Sequence, residues 1–523
     1  MPKLIDAARL RDAWRRGEEI ALFDLREEGP YSLAHPFFAV SLPLAQIELR
    51  IRDLVPRLRA PIVVYDDGEG LTERGVARIA ALGYTDVSVL DGGLAAYARV
   101  GEVFRDVNVP SKAFGELVEA IRHTPSLPAE EVAALIASDP AVVVLDARRF
   151  EEYHTMSIPR GVSVPGGELA LRVHDLAPAA ETTVVVNCAG RTRSIIGAQT
   201  LVNIGISNRV VALRNGTIGW TLAGLTLETG RTARFGALSG PALATARVRV
   251  GAWADKVGVP VIDGATLARY RDESDRRTLY LFDVRTPEEY AAGHPPGFVS
   301  APGGQLVQAT DEWVAVRGAR LVLFDDDGVR ARMTASWLIQ LGWDAAVVAD
   351  GAVRADEVGA REPVPVAAPQ EVPALAPDKL VALGEAATIV DLGPSPIYRR
   401  AHIPGAWFVA GTQLADLAGL PGEGPIVLTS HDGRLAAAHA ADVASATPRQ
   451  LFWLRGGNAA WQAAGRALTS DAPRFVRPPD DVYKRPYEGT DNPGTAMQGY
   501  IDWELQLVAQ LANDGVSRFH VVR

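Results

Sequence analysis

One cysteine, Cys188, serves a chain of 523 residues. A single thiol excludes any internal disulfide and fits a reducing compartment, most simply the cytoplasm. Long apolar runs are also missing. No stretch approaches the ~20 consecutive apolar residues of a membrane span, and the opening residues MPKLIDAARLRDAWRRGEEI lack the apolar core of a secretory signal. Positive charge is in deficit: 53 Lys and Arg face 63 Asp and Glu, giving a net charge of −10 and a pI near 5.5. That balance argues against nucleic acid as a partner. What is present suffices for folding. Hydrophobic residues make up 48% of the chain and charged residues 22%, ordinary values for a globular protein. At roughly 100–200 residues per domain, the length predicts about three to five domains.

The chain repeats itself. An apolar strand ending in Asp occurs four times, at Asp24, Asp146, Asp283 and Asp391. An Arg stands two residues later in the first three (Arg26, Arg148, Arg285), and Gly393 takes its place in the fourth. A second strand follows each and ends at a loop head: Asp66, Cys188, Asp325 and Ser430. The head follows the motif Asp by 42 residues in three units and by 39 in the fourth. Gly83, Gly205 and Gly342 each lie 17 residues past their head, so the register holds without gaps. Such periodicity defines tandem units, at about 1–105, 125–230, 257–356 and 373–470, followed by an extension over 471–523. Strands alternating with helical stretches predict an α/β fold, each unit a mainly parallel sheet flanked by helices. The proline-rich run from Ala360 reads as a semi-rigid linker. VPSKAFGELVEAI before the second unit reads as a helical connector packed on the domains.

The Cys188 loop carries the chemistry. In VVVNCAGRTRS an apolar strand ends at the cysteine, and a helical apolar pattern starts near Arg193. Ligands gather beyond the carboxyl ends of strands in such sheets. Successive amides of Ala189, Gly190, Arg191, Thr192, Arg193 and Ser194 can point into the turn, where the helix dipole adds to them. This environment predicts a depressed thiol pKa. Arg191 and Arg193 offer forked donors for an oxyanion. The combination describes a nucleophile aimed at an anionic substrate.

At these residues the sequence resembles the rhodanese sulfurtransferases. Cys188 with Gly190, Arg191 and Arg193 is similar to their active loop. Asp146, Arg148, Glu151, Glu152, Tyr153, Ile158, Pro159 and Gly161 resemble their second landmark, shown most plainly by His402-Ile403-Pro404-Gly405 in the fourth unit. The resemblance implies a fold of four tandem rhodanese-like domains, of which only the second has an active-type loop. It implies sulfur transfer from a small anionic donor such as thiosulfate, through a Cys188 persulfide, to cyanide, a thiol or a protein. It implies no metal or organic cofactor. Arg148 is a candidate for supporting substrate or loop, although the recurrence of the Asp146–Arg148 pair in units with no cysteine favours a structural ion pair. A cysteine phosphatase or arsenate reductase is the less favoured alternative, because the Arg lies five residues past the cysteine rather than six. A persulfide carrier or partner-binding scaffold with little free turnover is the other.

Asp66, Asp325 and Ser430 cannot carry a persulfide, so one site per chain is expected. The inactive first domain is expected to pair with the active second, and the third with the fourth. In the tail, Tyr500, Trp503, Leu507, Val508 and Leu511 form an apolar helical stripe that must be covered, either by docking on the same chain or in a homo-oligomer.

Overall fold

The computed structural model describes residues 2–366 and 371–523. It has the predicted α/β architecture. Four of its sheets contain only parallel pairs, and within each domain the five strands follow one spatial order, 3-2-4-5-1. The fourth domain adds a sixth strand, Arg474–Phe475, beside its third. A two-residue antiparallel pairing, His35–Pro36 with Val103–Phe104, forms a small fifth sheet.

The second domain positions the cysteine. Its strands are β1 (Ser126–Leu127), β2 (Val143–Asp146), β3 (Gly161–Ser163), β4 (Val184–Asn187) and β5 (Val210–Leu213). β-Branched residues dominate β2, β4 and β5, as strands covered on both faces require. Val144, Val185, Val211 and Leu213 pack one face against Val132, Ile158 and Trp220. Trp220 therefore belongs to this core, its indole N–H donating to the Thr226 carbonyl at 2.9 Å. The helices that matter for function are α1 (Val109–Arg122), α2 (Phe150–Thr155), α3 (Thr192–Asn203), α4 (Gly216–Leu222), α5 (Gly494–Glu504) and α6 (Leu507–Asp514). The predicted connector is α1, and the predicted start of the helix after Cys188 falls one residue earlier, at Thr192.

The chain divides into two compact units. One comprises Met1–Ala7, Ala21–Val107 and Glu362–Tyr483; the other comprises Ala8–Ile20, Asn108–Arg361 and Lys484–Arg523. The first domain's sheet thus shares a unit with the fourth, and the second shares one with the third. This corrects the expected pairing of neighbours along the chain. The physical reason is local. In the first unit, a Cβ on Gly411 would meet the Ala45 methyl at 2.6 Å, and the His439 ring bonds the Ala45 carbonyl at 3.1 Å. In the second, Gly166–Gly167 meets Gly303–Gly304 backbone to backbone, so that a Cβ on Gly167 would stand 2.8 Å from the Gly304 nitrogen. Buried Arg330 also donates to Glu168 at 2.8 Å.

Of the predicted proline-rich linker, residues 367–370 lie outside the described residues; the fourth domain's first strand begins at Ala374. The apolar stripe of the tail is covered by the same chain: Tyr500, Trp503, Leu507 and Leu511 are buried, and α6 packs on α1. An oligomer built on that stripe therefore loses the surface it was expected to use.

Candidate active site at the Cys188 loop

β4 delivers the cysteine. Val184 to Val186 are fully buried, and Asn187 at the strand end pairs in register with Asp146 of β2. The Asp146 carboxylate accepts from the Asn187 amide at 2.8 Å, from the Arg148 backbone at 3.1 Å, and from the Arg148 guanidinium at 2.8 and 2.7 Å. Arg148 also donates to the Met156 carbonyl at 2.6 Å and is 1% exposed. The same pair closes in the first and third domains, Arg26 on Asp24 and Arg285 on Asp283. Where the fourth domain has Gly393, its backbone N–H donates to the Asp391 carboxylate at 2.8 Å. The favoured reading of Arg148 as half of a structural ion pair agrees with this geometry, and the alternative role on substrate does not: a buried carboxylate must be paired, and Arg148 is the partner that ties β2 to the end of α2.

The loop rests on α4. The Thr217 and Ile218 amides donate to the Cys188 and Ala189 carbonyls at 2.9 and 3.0 Å. Gly216 makes this approach possible. It has φ of +54°, and a Cβ there would stand 2.7 Å from both the Ala189 carbonyl carbon and the Gly190 oxygen. Gly93 sits likewise against the Asp66 carbonyl and Gly457 against the Ser430 carbonyl. Gly216→Ala is expected to cost about 2 kcal/mol or more, from positive φ and overpacking together, and to displace the loop. A denaturant melt and thiol reactivity check this; an unchanged melt and unchanged reactivity would show the loop to be more tolerant.

One hydrogen bond recurs at three of the four loop heads. The Asp66 carboxylate accepts from the Thr72 amide at 3.3 Å, Asp325 from Ala331 at 2.8 Å, and Ser430 from Ala436 at 3.4 Å. In every case the donor lies six residues past the head. Cys188 stands in the same sequence relation to Ser194, whose amide and side chain act on the thiol to lower its pKa against burial, while the Ser194 hydroxyl donates to the Arg191 carbonyl at 2.9 Å. In the first and third domains the carboxylate takes further amides, Leu71 at 2.6 Å and Gly328 at 3.0 Å. Their seats for an anion are therefore filled by their own side chains.

Three features of the loop differ from expectation. First, the thiol pKa is raised, not lowered. Cys188 is 1% exposed, and burial outweighs the opposing Arg193 charge and Ser194 bonds, while Glu504 adds to the rise. The local motif favours a thiolate, but the cover over it favours the neutral form.

Second, Arg191 is not a free oxyanion donor. Its guanidinium donates to Glu116 at 2.7 and 2.8 Å, to Glu119, and to the Asn215 side chain at 3.0 Å. Third, Arg193 forks onto Glu152 at 2.7 and 2.8 Å. Burial works to raise the Glu152 pKa, yet the Arg193 charge wins and holds it down at about 2. Both arginines are buried, and a buried guanidinium needs carboxylates close by. Arg193 nevertheless remains close enough to interact electrostatically with the Cys188 sulfur.

The tail roofs the loop. A Cβ on Gly190 would lie 3.2 Å from the Tyr500 ring and 3.3 Å from Glu504 Oε2. Thr192 packs against Gly115 of α1, and its hydroxyl has no hydrogen-bond partner among the described residues. Beside the loop, a cavity of about 330 Å³ lies between Thr217, Ile218 and Met156 on the domain and Tyr487, Thr490 and Met497 from the tail. Sequence reasoning does not reach Glu116, Glu119, Asn215, Gly216 and Glu504. A glycine at the Gly216 position of the turn after strand five recurs in three units (DGG, RNG, RGG) and is a usable signal for Gly216. No local signal marks the carboxylates.

A family model described as "Rhodanese-like domain" matches residues 6–99, 128–223, 266–355 and 376–464. The crystal structure of thiosulfate sulfurtransferase from Pseudomonas aeruginosa is 53% identical to this chain, with 100% of both chains covered and a TM-score of 0.96. The Alr3790 protein from Anabaena is 28% identical over 20% of this chain and 84% of its own, with a TM-score of 0.19. No curated protein sequence matches the chain. The fourfold family match and the full-length likeness agree: the chain belongs to the rhodanese family and is a rhodanese-type sulfurtransferase of four tandem domains.

Proposed function

We propose that this sulfurtransferase moves sulfane sulfur from thiosulfate, through a persulfide on Cys188, to a small thiophilic acceptor such as cyanide or a low-molecular-weight thiol. The observation that carries this reading is the loop-head comparison. Three heads accept the amide six residues on, Cys188 holds the aligned position in the second domain, and it alone has a side chain that can take up sulfur. The thiolate attacks the outer sulfur of thiosulfate, a new S–S bond forms, and the old one breaks with its electron pair leaving on sulfite. Cyanide then attacks the outer persulfide sulfur and departs as thiocyanate, restoring the thiolate. The amides of residues 189–194 hold the negative charge in both halves. Arg193 contributes its charge beside the sulfur while anchored on Glu152, and Arg191 holds the loop in shape.

The burial of Cys188 favours small acceptors over a protein thiol, which would have to pass the tail. The short loop, with Arg193 five residues past the cysteine, speaks for sulfur over a tetrahedral phosphate. No helix among the described residues is long and apolar enough to cross a membrane, and the unpaired thiol supports a cytoplasmic site of action.

The test is a single turnover. Mixing enzyme with excess thiosulfate and no acceptor should release close to one sulfite per chain in a burst, and steady-state kinetics with cyanide should be ping-pong. Sulfite release only in the presence of acceptor would refute the persulfide route. A burst near four per chain would refute the single site.

A further inference from the structure

The strongest unassigned group is Glu504, on the tail helix α5. Its carboxyl is fully buried. Oε1 accepts from the Tyr500 hydroxyl at 2.8 Å. Oε2 has no hydrogen-bond partner among the described residues and lies over the Cys188 loop, 3.3 Å from where a Gly190 Cβ would be. A buried carboxylate oxygen without a donor is costly; a buried carboxylic acid is much less so.

The surroundings agree. Glu116 and Lys112 face Glu504 from α1, Arg191 and Cys188 from the loop, Tyr500 from its own helix, and the Tyr487 ring packs on Tyr500 at 5.2 Å. The two cations are largely engaged elsewhere. Arg191 is bound to Glu116, and the Lys112 ammonium lies over the Tyr487, Tyr500 and Trp503 rings at 5.6, 5.1 and 5.5 Å. Burial first, and the Glu116 charge second, push the Glu504 carboxyl up to about 8 despite Lys112, Tyr500 and Arg191. Its charge, once formed, raises the Cys188 thiol further.

We propose that Glu504 is a positioning residue for sulfur transfer: its neutral carboxyl, laid over the loop by the C-terminal helix, is the working form, and its ionisation withholds the Cys188 thiolate. Burial disfavours a charge on either group, and a charge on Glu504 further disfavours one on Cys188, so their titrations are linked. The inference deepens the proposed function and rests on Cys188 being the reacting thiol, but its test needs no sulfur donor.

Iodoacetamide alkylation of Cys188 against pH reads the thiolate directly, in wild type, Glu504→Gln and Glu504→Asp. Glutamine keeps the shape and cannot ionise. Below about pH 7, where Glu504 is protonated, wild type and E504Q should react alike. Above about pH 8, E504Q should react up to about tenfold faster, one unit of apparent pKa, and E504D should keep the alkaline restraint. Profiles that coincide at all pH, or that differ by a constant factor throughout, would overturn the proposal, the latter marking a purely structural role.

Should E504Q fail to fold, infrared difference spectra of the wild type decide. A protonated-carboxyl band should vanish around pH 8 and should persist to higher pH once Cys188 carries an anionic persulfide. A band absent at neutral pH, or indifferent to loading, would refute the proposal. Failure of thiosulfate to load Cys188 would instead refute the proposed function and leave the alkylation result standing.

Discussion

Cys188→Ser should abolish sulfur transfer, with a loss of at least about 10³-fold in thiocyanate formation from thiosulfate and cyanide, because no other group in the chain can accept sulfane sulfur. The substitution should barely disturb the fold. The fourth domain already holds a serine in this seat, where Ser430 Oγ accepts the Ala436 amide at 3.4 Å and is 2% exposed. The introduced hydroxyl can take the Ser194 amide in the same way, so the melting temperature should stay within about 2 °C of wild type. Activity and melting should therefore separate cleanly. A serine variant that retains a tenth or more of wild-type turnover would remove Cys188 from the mechanism. One that unfolds would show the seat in the second domain to be unlike the fourth.

Arg191→Ala should be the most destabilising single change in the site. Arg191 is 6% exposed and neutralises Glu116, 4% exposed, along with Glu119. Removing it leaves a buried carboxylate beside Glu504, with burial, joined by the Glu119 charge, already raising the Glu116 pKa against the help of Arg191. Breaking such a pair costs about 3–5 kcal/mol, a large part of the ~5–15 kcal/mol that stabilises a typical native protein. Arg191→Lys should recover only part of this, since a point charge cannot span Glu116, Glu119 and the Asn215 side chain together. Arg434→Ala in the fourth domain is the control. Its pair with Asp432 is 34% and 45% exposed and should matter by about 1 kcal/mol or less. Urea midpoints followed by tryptophan fluorescence compare the three. An R191A midpoint close to that of R434A would show that Arg191 does not brace the loop.

The repeat makes most of the fold legible. Because each domain keeps the motif Asp and the loop head at nearly fixed separation, strand two, strand four and the turn after them align without coordinates, and the common 3-2-4-5-1 order follows from one pattern used four times. The domain pairing is not legible in that way. It depends on which glycines and small side chains meet across domains, and chain proximity is a poor guide to that. In the site, the loop residues stand out because they are contiguous. Their partners do not, because the pairing is remote: Glu116 lies 75 residues before Arg191 on a helix outside the domain's repeat, and Glu504 comes from the tail. The same distance explains the error in the direction of the thiol pKa. A strand-to-helix turn with two arginines favours a thiolate, but the carboxylates that occupy those arginines and the helix that shuts out water are invisible to the motif. Arg148 is legible for the opposite reason: its partner Asp146 is two residues earlier, and the repetition of that pair in domains without a cysteine marks it as structural.

The central claim is that sulfur resides on Cys188. Intact mass spectrometry after incubation with thiosulfate and removal of excess donor measures this most directly. The chain should gain about 32 Da, one sulfur atom, mapped by peptide analysis to Cys188 and discharged by cyanide. A chain whose mass is unchanged by thiosulfate under conditions where it forms thiocyanate would contradict the account, because sulfur would then pass from donor to acceptor without resting on the enzyme.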